Sequence, residues 1–340
     1  MKKLIASFAI ILVAAVCLAG CSVNTSDNER NPVKVLLLPA FEVEKMAGDF
    51  PGEAQYYYEA YLQGGEEYEI KDGTEGTTLY YKDGIALCLL DEGKVHAAIN
   101  TMAVLKDERF DFSDAYIIVT GCAGSAAGYG IMGDVYVITS AVDYDLGHKA
   151  DPREMTGDSE TTWFHDEAYD SSAYVMLNSE LTDAVYDKVK DVPLETTELT
   201  SEYLEQAFHG EEWASRQPQV LKGTAVTGDN FWKGEYDHDN AVLMTETYGC
   251  PDPYAVTDME DIAVCETVES CGMLDRLIVL RDSVNMDLFA PGMTPEKLWN
   301  TDDELASDDS EESFDIFATA MKNNYEVGKV VIDAILDGEL

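Results

Sequence analysis

Short apolar runs bounded by glycine, aspartate or proline recur along this chain: Val35–Leu38, Ile85–Leu90, Tyr116–Thr120, Val135–Thr139 and Leu277–Leu280. Runs of that length without polar alternation fit strands buried on both faces. Between them the spacing turns helical. Lys94–Leu105, preceded by Gly93, places Val95, Ala98, Ile99 and Met102 on one side, which is predicted to be its buried face. Asp258–Cys271 and Ser313–Leu336 read as longer helices, the second with Phe314, Phe317, Met321, Val327, Val331 and Ile335 at amphipathic spacing. Strands alternating with helices predict an α/β fold, a single domain with a mixed, largely parallel central sheet flanked by helices. Ligands in such folds sit at the carboxyl ends of the strands, so unusual residues there matter most.

The start of the chain departs from this pattern. Met1-Lys2-Lys3 is cationic, Leu4 to Val16 is a charge-free apolar run, and Leu18-Ala19-Gly20-Cys21 follows. That order describes a secretory signal over residues 1–20. Its ending resembles a bacterial lipoprotein box, which implies lipidation of Cys21, a polar tether over 21–32 and a folded domain over 33–340. The expected location is extracytoplasmic, lipid-anchored to the bacterial cell membrane. The other long uncharged stretch, Tyr116 to Gly133, holds five glycines and is unsuited to a lone spanning helix.

Charge narrows the partners. With 22 Lys+Arg against 66 Asp+Glu the formal net charge is −44, which excludes nucleic acid and anionic membrane surfaces as electrostatic partners. Beyond Cys21 the cysteines are Cys88, Cys122, Cys250, Cys265 and Cys271, an odd set read as mostly buried free thiols. No CxxC or HExxH is present, so no metal site and no cofactor are expected. Asp237-His238-Asp239 lacks the glycine turn and distal Glu of a calcium loop and reads as a solvated acidic loop, as does the run Asp302–Glu312.

Four segments carry candidate chemistry. Thr120-Gly121-Cys122-Ala123-Gly124 ends an apolar strand, where glycines let a ligand approach the backbone. Thr227-Gly228-Asp229-Asn230-Phe231-Trp232 offers paired aromatics for a flat ring, or for the core. Thr257-Asp258-Met259-Glu260-Asp261 opens a helix, where acids either cap it or face a pocket. Arg281 to Asn285 follows the last apolar strand.

In this order the segments resemble the nucleoside phosphorylase/nucleosidase superfamily, from about Lys34 to Asn285. More narrowly, Gly48–Glu53, Asp143–His148, Arg153-Glu154 and Arg281–Asp287 resemble blocks of the purine nucleoside permease family. The resemblance implies a nucleoside phosphorylase-like fold and a purine nucleoside ligand. It places Ala123 and Gly124 at the base, Phe231 stacked on it, Trp232 beside it, and Arg281 within the binding site. It also gives Met259 and Glu260 to the ribose and sets Asn285 opposite the purine N7. Asn285 donates a hydrogen bond and cannot act as a general acid, which favours a 6-oxopurine or binding without fast cleavage.

Phosphorolysis needs a cationic cradle. The loop from Pro39 to Gly52 has no Arg, and Phe50 stands where relatives of the permease family often carry one. Hydrolysis needs a carboxylate to orient water; alignment on the first strand brings Glu44 to that place, with Glu42 as runner-up. The leading expectation is a membrane-anchored protein that binds purine nucleosides for uptake, with or without cleavage of the N-glycosidic bond. It would serve a separate membrane transporter, with self-association left open. The alternative is a dedicated hydrolytic nucleosidase, and behind it a phosphorylase.

Overall fold

The computed structural model describes residues 30–156, 161–299 and 311–340. The signal segment, Cys21 and residues 302–310 of the acidic run lie outside the described residues. Asn31 and Pro32, the end of the expected tether, pair with Phe110 and Asp111.

The strands that build the central sheet are β1 (Val35–Leu38), β2 (Glu66–Glu69), β3 (Thr78–Lys82), β4 (Ile85–Cys88), β5 (Tyr116–Ser125), β6 (Val135–Asp143), β7 (Tyr174–Met176), β8 (Val220–Thr227), β9 (Tyr254–Asp258) and β10 (Leu277–Met286). Five helices matter for the site: α1 (Lys94–Leu105), α2 (Ser179–Val189), α3 (Glu235–Thr247), α4 (Asp261–Ser270) and α5 (Glu311–Leu336). The sheet order is β7-β6-β8-β9-β5-β1-β4-β3-β2, with β10 bridging β5 and β6. Parallel pairs join β1 to β4 and β5, β8 to β6 and β9, and β10 to β5. The chain is therefore a mixed α/β domain, as its hydrophobic pattern predicts.

The bridging by β10 closes β5, β10, β6, β8 and β9 into a ring. To join both neighbours, β5 and β10 must be long. They run on as strand through Ser125 and Met286, past the apolar cores Tyr116–Thr120 and Leu277–Leu280 that the sequence marks. The candidate segments after those cores thus lie inside strands. A register shift between Ser283 and Asn285 then sets Asn285 opposite Gly124. Bulges of this kind re-aim a side chain and gather next to functional sites.

Apolar side chains fill both faces of the sheet. Leu36, Leu38, Ile117 and Val119 pack on one side with Val104 of α1 and Val264 and Val268 of α4. Leu37, Ile118 and Val137 pack on the other with Val185 of α2 and Val327 and Val331 of α5.

Two expectations are corrected here. Helix α1 buries Ala97, Asn100, Thr101, Ala103 and Val104, and leaves Val95, Ile99 and Met102 exposed. The small residues allow close approach to α4, and Asn100 is drawn inward because its amide donates to the Leu90 carbonyl at 2.9 Å. Asp237-His238-Asp239 is no loop: it lies in the first turns of α3, where His238 Nδ1 meets the buried Asp287 at 2.6 Å and Asp237 pairs with Lys149 at 2.7 Å. Among the described residues five cysteines are free, Cys88 and Cys265 of them fully buried, and burial pushes the Cys88 thiol up to about 12.

Candidate functional site

The carboxyl ends of β5, β8, β9 and β10 converge on one acidic cluster around Arg281. Strand β9 ends at Asp258, and α4 begins three residues later. Asp258 Oδ1 accepts from the Glu260 and Asp261 amides at 2.9 and 2.7 Å, while Thr227 Oγ1 of β8 donates to Asp258 Oδ2 at 3.0 Å. Asp258 therefore does the capping. Glu260 makes no cap hydrogen bond, so its carboxylate is available for another task.

That carboxylate is buried. Its Oε1 accepts from the Gly93 amide at 3.0 Å and its Oε2 from Arg281 Nη2 at 3.1 Å. Gly93 reaches this point with φ of 89°, in the left-handed region that favours glycine. Burial lifts the Glu260 pKa to about 7, with the charge of Arg281 pulling the other way. Asp261 is raised by the same burial and opposed by the same cation.

Arg281 is only 1 % exposed. Its Nε and Nη2 donate to Asp261 Oδ1 at 3.0 and 2.7 Å, and its Nη1 donates to the Cys122 carbonyl at 3.0 Å. It thus ties β10 to β5 and to the start of α4. Asn285, half-buried, faces Gly124: a Cβ placed at Gly124 would lie 2.9 Å from Asn285 Oδ1 and 3.0 Å from Thr257 Cγ2. Ala123 and Gly124 are buried beside it and Met259 is half-buried at the rim. The strand ends therefore bring Ala123, Gly124, Met259, Glu260, Arg281 and Asn285 together.

The paired aromatics divide. Trp232 is 7 % exposed and stacked on Tyr144, ring centroids 5.2 Å apart, so it belongs to the core behind the site. Phe231 is 53 % exposed. Glu44 is exposed in the loop between β1 and Gln55, with φ of 55°, and lines a cavity of about 520 Å³ with Asp49, Phe50 and Phe314. A non-glycine residue held in the left-handed region is a pointer to function. Glu42 is differently employed. Its Oε1 accepts from the Val43 and Gly52 amides and its Oε2 from those of Ala54 and Gln55, so its lone pairs are taken.

Two parts of the site have no role in the sequence reading. Glu53 spans the loop and β5 by accepting from the amides of both. Lys94, next to Gly93, holds its Nζ 2.8 Å from both Asp143 and Asp145. Each depends on groups far apart in sequence, and only the Gly48–Glu53 block hinted at the first. No group of three or more His, Cys, Asp or Glu among the described residues is placed to hold a metal ion.

Comparisons with known proteins give the chain a family and a fold. A profile of the family described as purine nucleoside permease (NUP) matches residues 32–338. A probable purine nucleoside permease of Schizosaccharomyces pombe is 26% identical over 271 residues, 72% of this chain and 74% of that protein. A purine nucleoside permease of Candida albicans is 25% identical over 227 residues, and the match spans 60% of this chain and 54% of that one. In three dimensions the chain resembles the 5′-methylthioadenosine/S-adenosylhomocysteine nucleosidase of Neisseria meningitidis, with a TM-score of 0.52 at 16% identity, over 88% of this chain and 99% of that one. Futalosine hydrolase of Helicobacter pylori gives 0.52 at 17%, over 88% and 97%. At these identities the solved structures establish the nucleosidase-type fold.

Proposed function

Because the chain belongs to the purine nucleoside permease family, we propose that it binds purine nucleosides at the strand-end site and serves their uptake. The observation that carries this reading is the Glu260 carboxylate, free of capping and held by Arg281 and Gly93, on the strand ends that also set Asn285 against Gly124. A carboxylate suits the vicinal hydroxyls of ribose, since it accepts two charge-assisted hydrogen bonds. An amide suits the purine edge, donating or accepting without moving a proton. Ala123 and Gly124 give the base a flat backbone floor, and Phe231 is exposed enough to stack on its outer face.

The second reading, hydrolytic cleavage, would use the exposed Glu44 carboxylate to orient a water, and the left-handed backbone that holds this residue is the one observation in its favour. Asn285 argues against fast chemistry, because a leaving purine needs a proton donor or a strong hydrogen bond at N7. The purified protein is expected to bind inosine, guanosine or adenosine saturably and to release little free base, with no increase on adding phosphate. Rapid base release without phosphate would make it a nucleosidase; release that needs phosphate would make it a phosphorylase.

We also propose that Cys21 carries a lipid that holds the domain outside the cytoplasm, near a separate transporter. No helix of the described residues is long and apolar enough to cross a membrane. Two acyl chains give stable anchoring, so Cys21→Ala is expected to move the protein out of the membrane fraction or leave it unprocessed. A processed variant still partitioning into detergent would refute the anchor.

A further inference from the structure

Glu53 is fully enclosed beneath the loop that carries Glu42 and Glu44, 5 % exposed. Its Oε2 accepts from the Ala40 amide at 2.6 Å and the Phe41 amide at 3.4 Å, and its Oε1 from the Cys122 amide at 2.7 Å. Two segments far apart in the chain thus turn backbone N–H groups onto one carboxylate, and the charge of Arg281 acts on it favourably. The approach is so close that a Cβ at Gly121 would collide with the Glu53 carboxylate. Converging backbone amides near a guanidinium are the usual recipe for holding phosphate or another oxyanion.

We propose that the Glu53 carboxylate is a built-in anion that fills the place an external oxyanion would take, and so denies phosphate access to the nucleoside site. The charge belongs on Glu53. Its partner groups are N–H donors, whereas the neighbouring buried Asp282 is pushed upward by burial and by the charge of Glu53. Burial pushes Glu53 itself upward, while Arg281 and the Cys122 and Ala40 amides pull it back. The inference rests on the nucleoside-site reading and sharpens it. In phosphorolysis a phosphate oxygen bonds to C1′ as the C1′–N9 bond breaks, its electron pair leaves with the purine, and the purine takes a proton from solvent. With the amides already occupied, that oxygen has no seat. Glu53 is then a specificity-determining residue, deciding which nucleophiles and ligands the site admits.

The test needs no nucleoside, so it can fail independently of the nucleoside-site reading. The full-length protein and its Glu53→Gly variant are melted in rising phosphate, sulfate or acetate at fixed ionic strength, with chloride as control. Glu53→Gly should melt below wild type and regain stability saturably with phosphate or acetate, while wild type responds to neither. Glu53→Gln should melt low without anion rescue, because its amide still fills the nest. If Glu53→Gly folds only when refolded with phosphate or acetate, the proposal stands. The proposal is overturned by a Glu53→Gly protein that no anion stabilises or helps to fold. Saturable stabilisation of wild type by phosphate overturns it equally.

Discussion

Replacing Arg281 by methionine is expected to cost about 3–5 kcal/mol of folding stability, the scale seen when one partner of a buried ion pair is removed. The cost comes from what is left behind. Asp261, Glu260 and Asp258 lie 2.7, 3.1 and 3.7 Å from the guanidinium, all of them buried. Without it, mutually repelling carboxylates must shed charge or open the site. The loss should depend on pH with a definite sign. A carboxyl whose folded pKa is raised contributes most stability below its unfolded value and loses it as pH rises to the folded value. For Glu260 that window runs from the ordinary 4.5 to about 7. Losing Arg281 raises the folded values further, so the deficit should be smaller at pH 5 than at pH 8. Urea titrations of both proteins at the two pH values check this; a deficit that is equal at both would mean that the carboxylates do not carry it.

Changing Glu260 to glutamine is expected to weaken ribonucleosides by about 1.5–3 kcal/mol, roughly 10- to 150-fold. The amide accepts through one oxygen only, so one vicinal hydroxyl loses its acceptor while remaining shielded from water. Free base has no hydroxyls and should bind as before. In wild type the accepting form is the carboxylate, which dominates above about pH 7. Nucleoside affinity should therefore rise from pH 6 to pH 8, while base affinity stays flat. This is opposite in sign to the effect of the same group on stability, since the folded apo site favours the proton and the ribose favours its removal.

The sequence is readable where local pattern decides. Uninterrupted apolar runs mark the strands because both sheet faces are covered. They stop short at Thr120 and Leu280 because the strands continue through Gly121, Cys122, Arg281 and Asp282, residue types that look like strand ends. Only the closing of the ring by β10 makes strand of them. The Val95-Ile99-Met102 stripe misleads for a similar reason: period alone cannot say that Asn100 has a buried carbonyl to satisfy. At the site, Glu260 and Asn285 stand out through the order of motifs. That Asp258 rather than Glu260 caps α4 is invisible in a run of acids. Glu53 is harder still, since its amide partners carry no side-chain signature at all.

The most direct test of the ribose assignment is calorimetric titration of wild type and Glu260→Gln with inosine and with hypoxanthine at pH 8. The substitution is expected to lower inosine affinity by at least about tenfold and to leave hypoxanthine within a factor of about two. Equal losses for both ligands, or no loss for either, would contradict it and remove Glu260 from the ribose site.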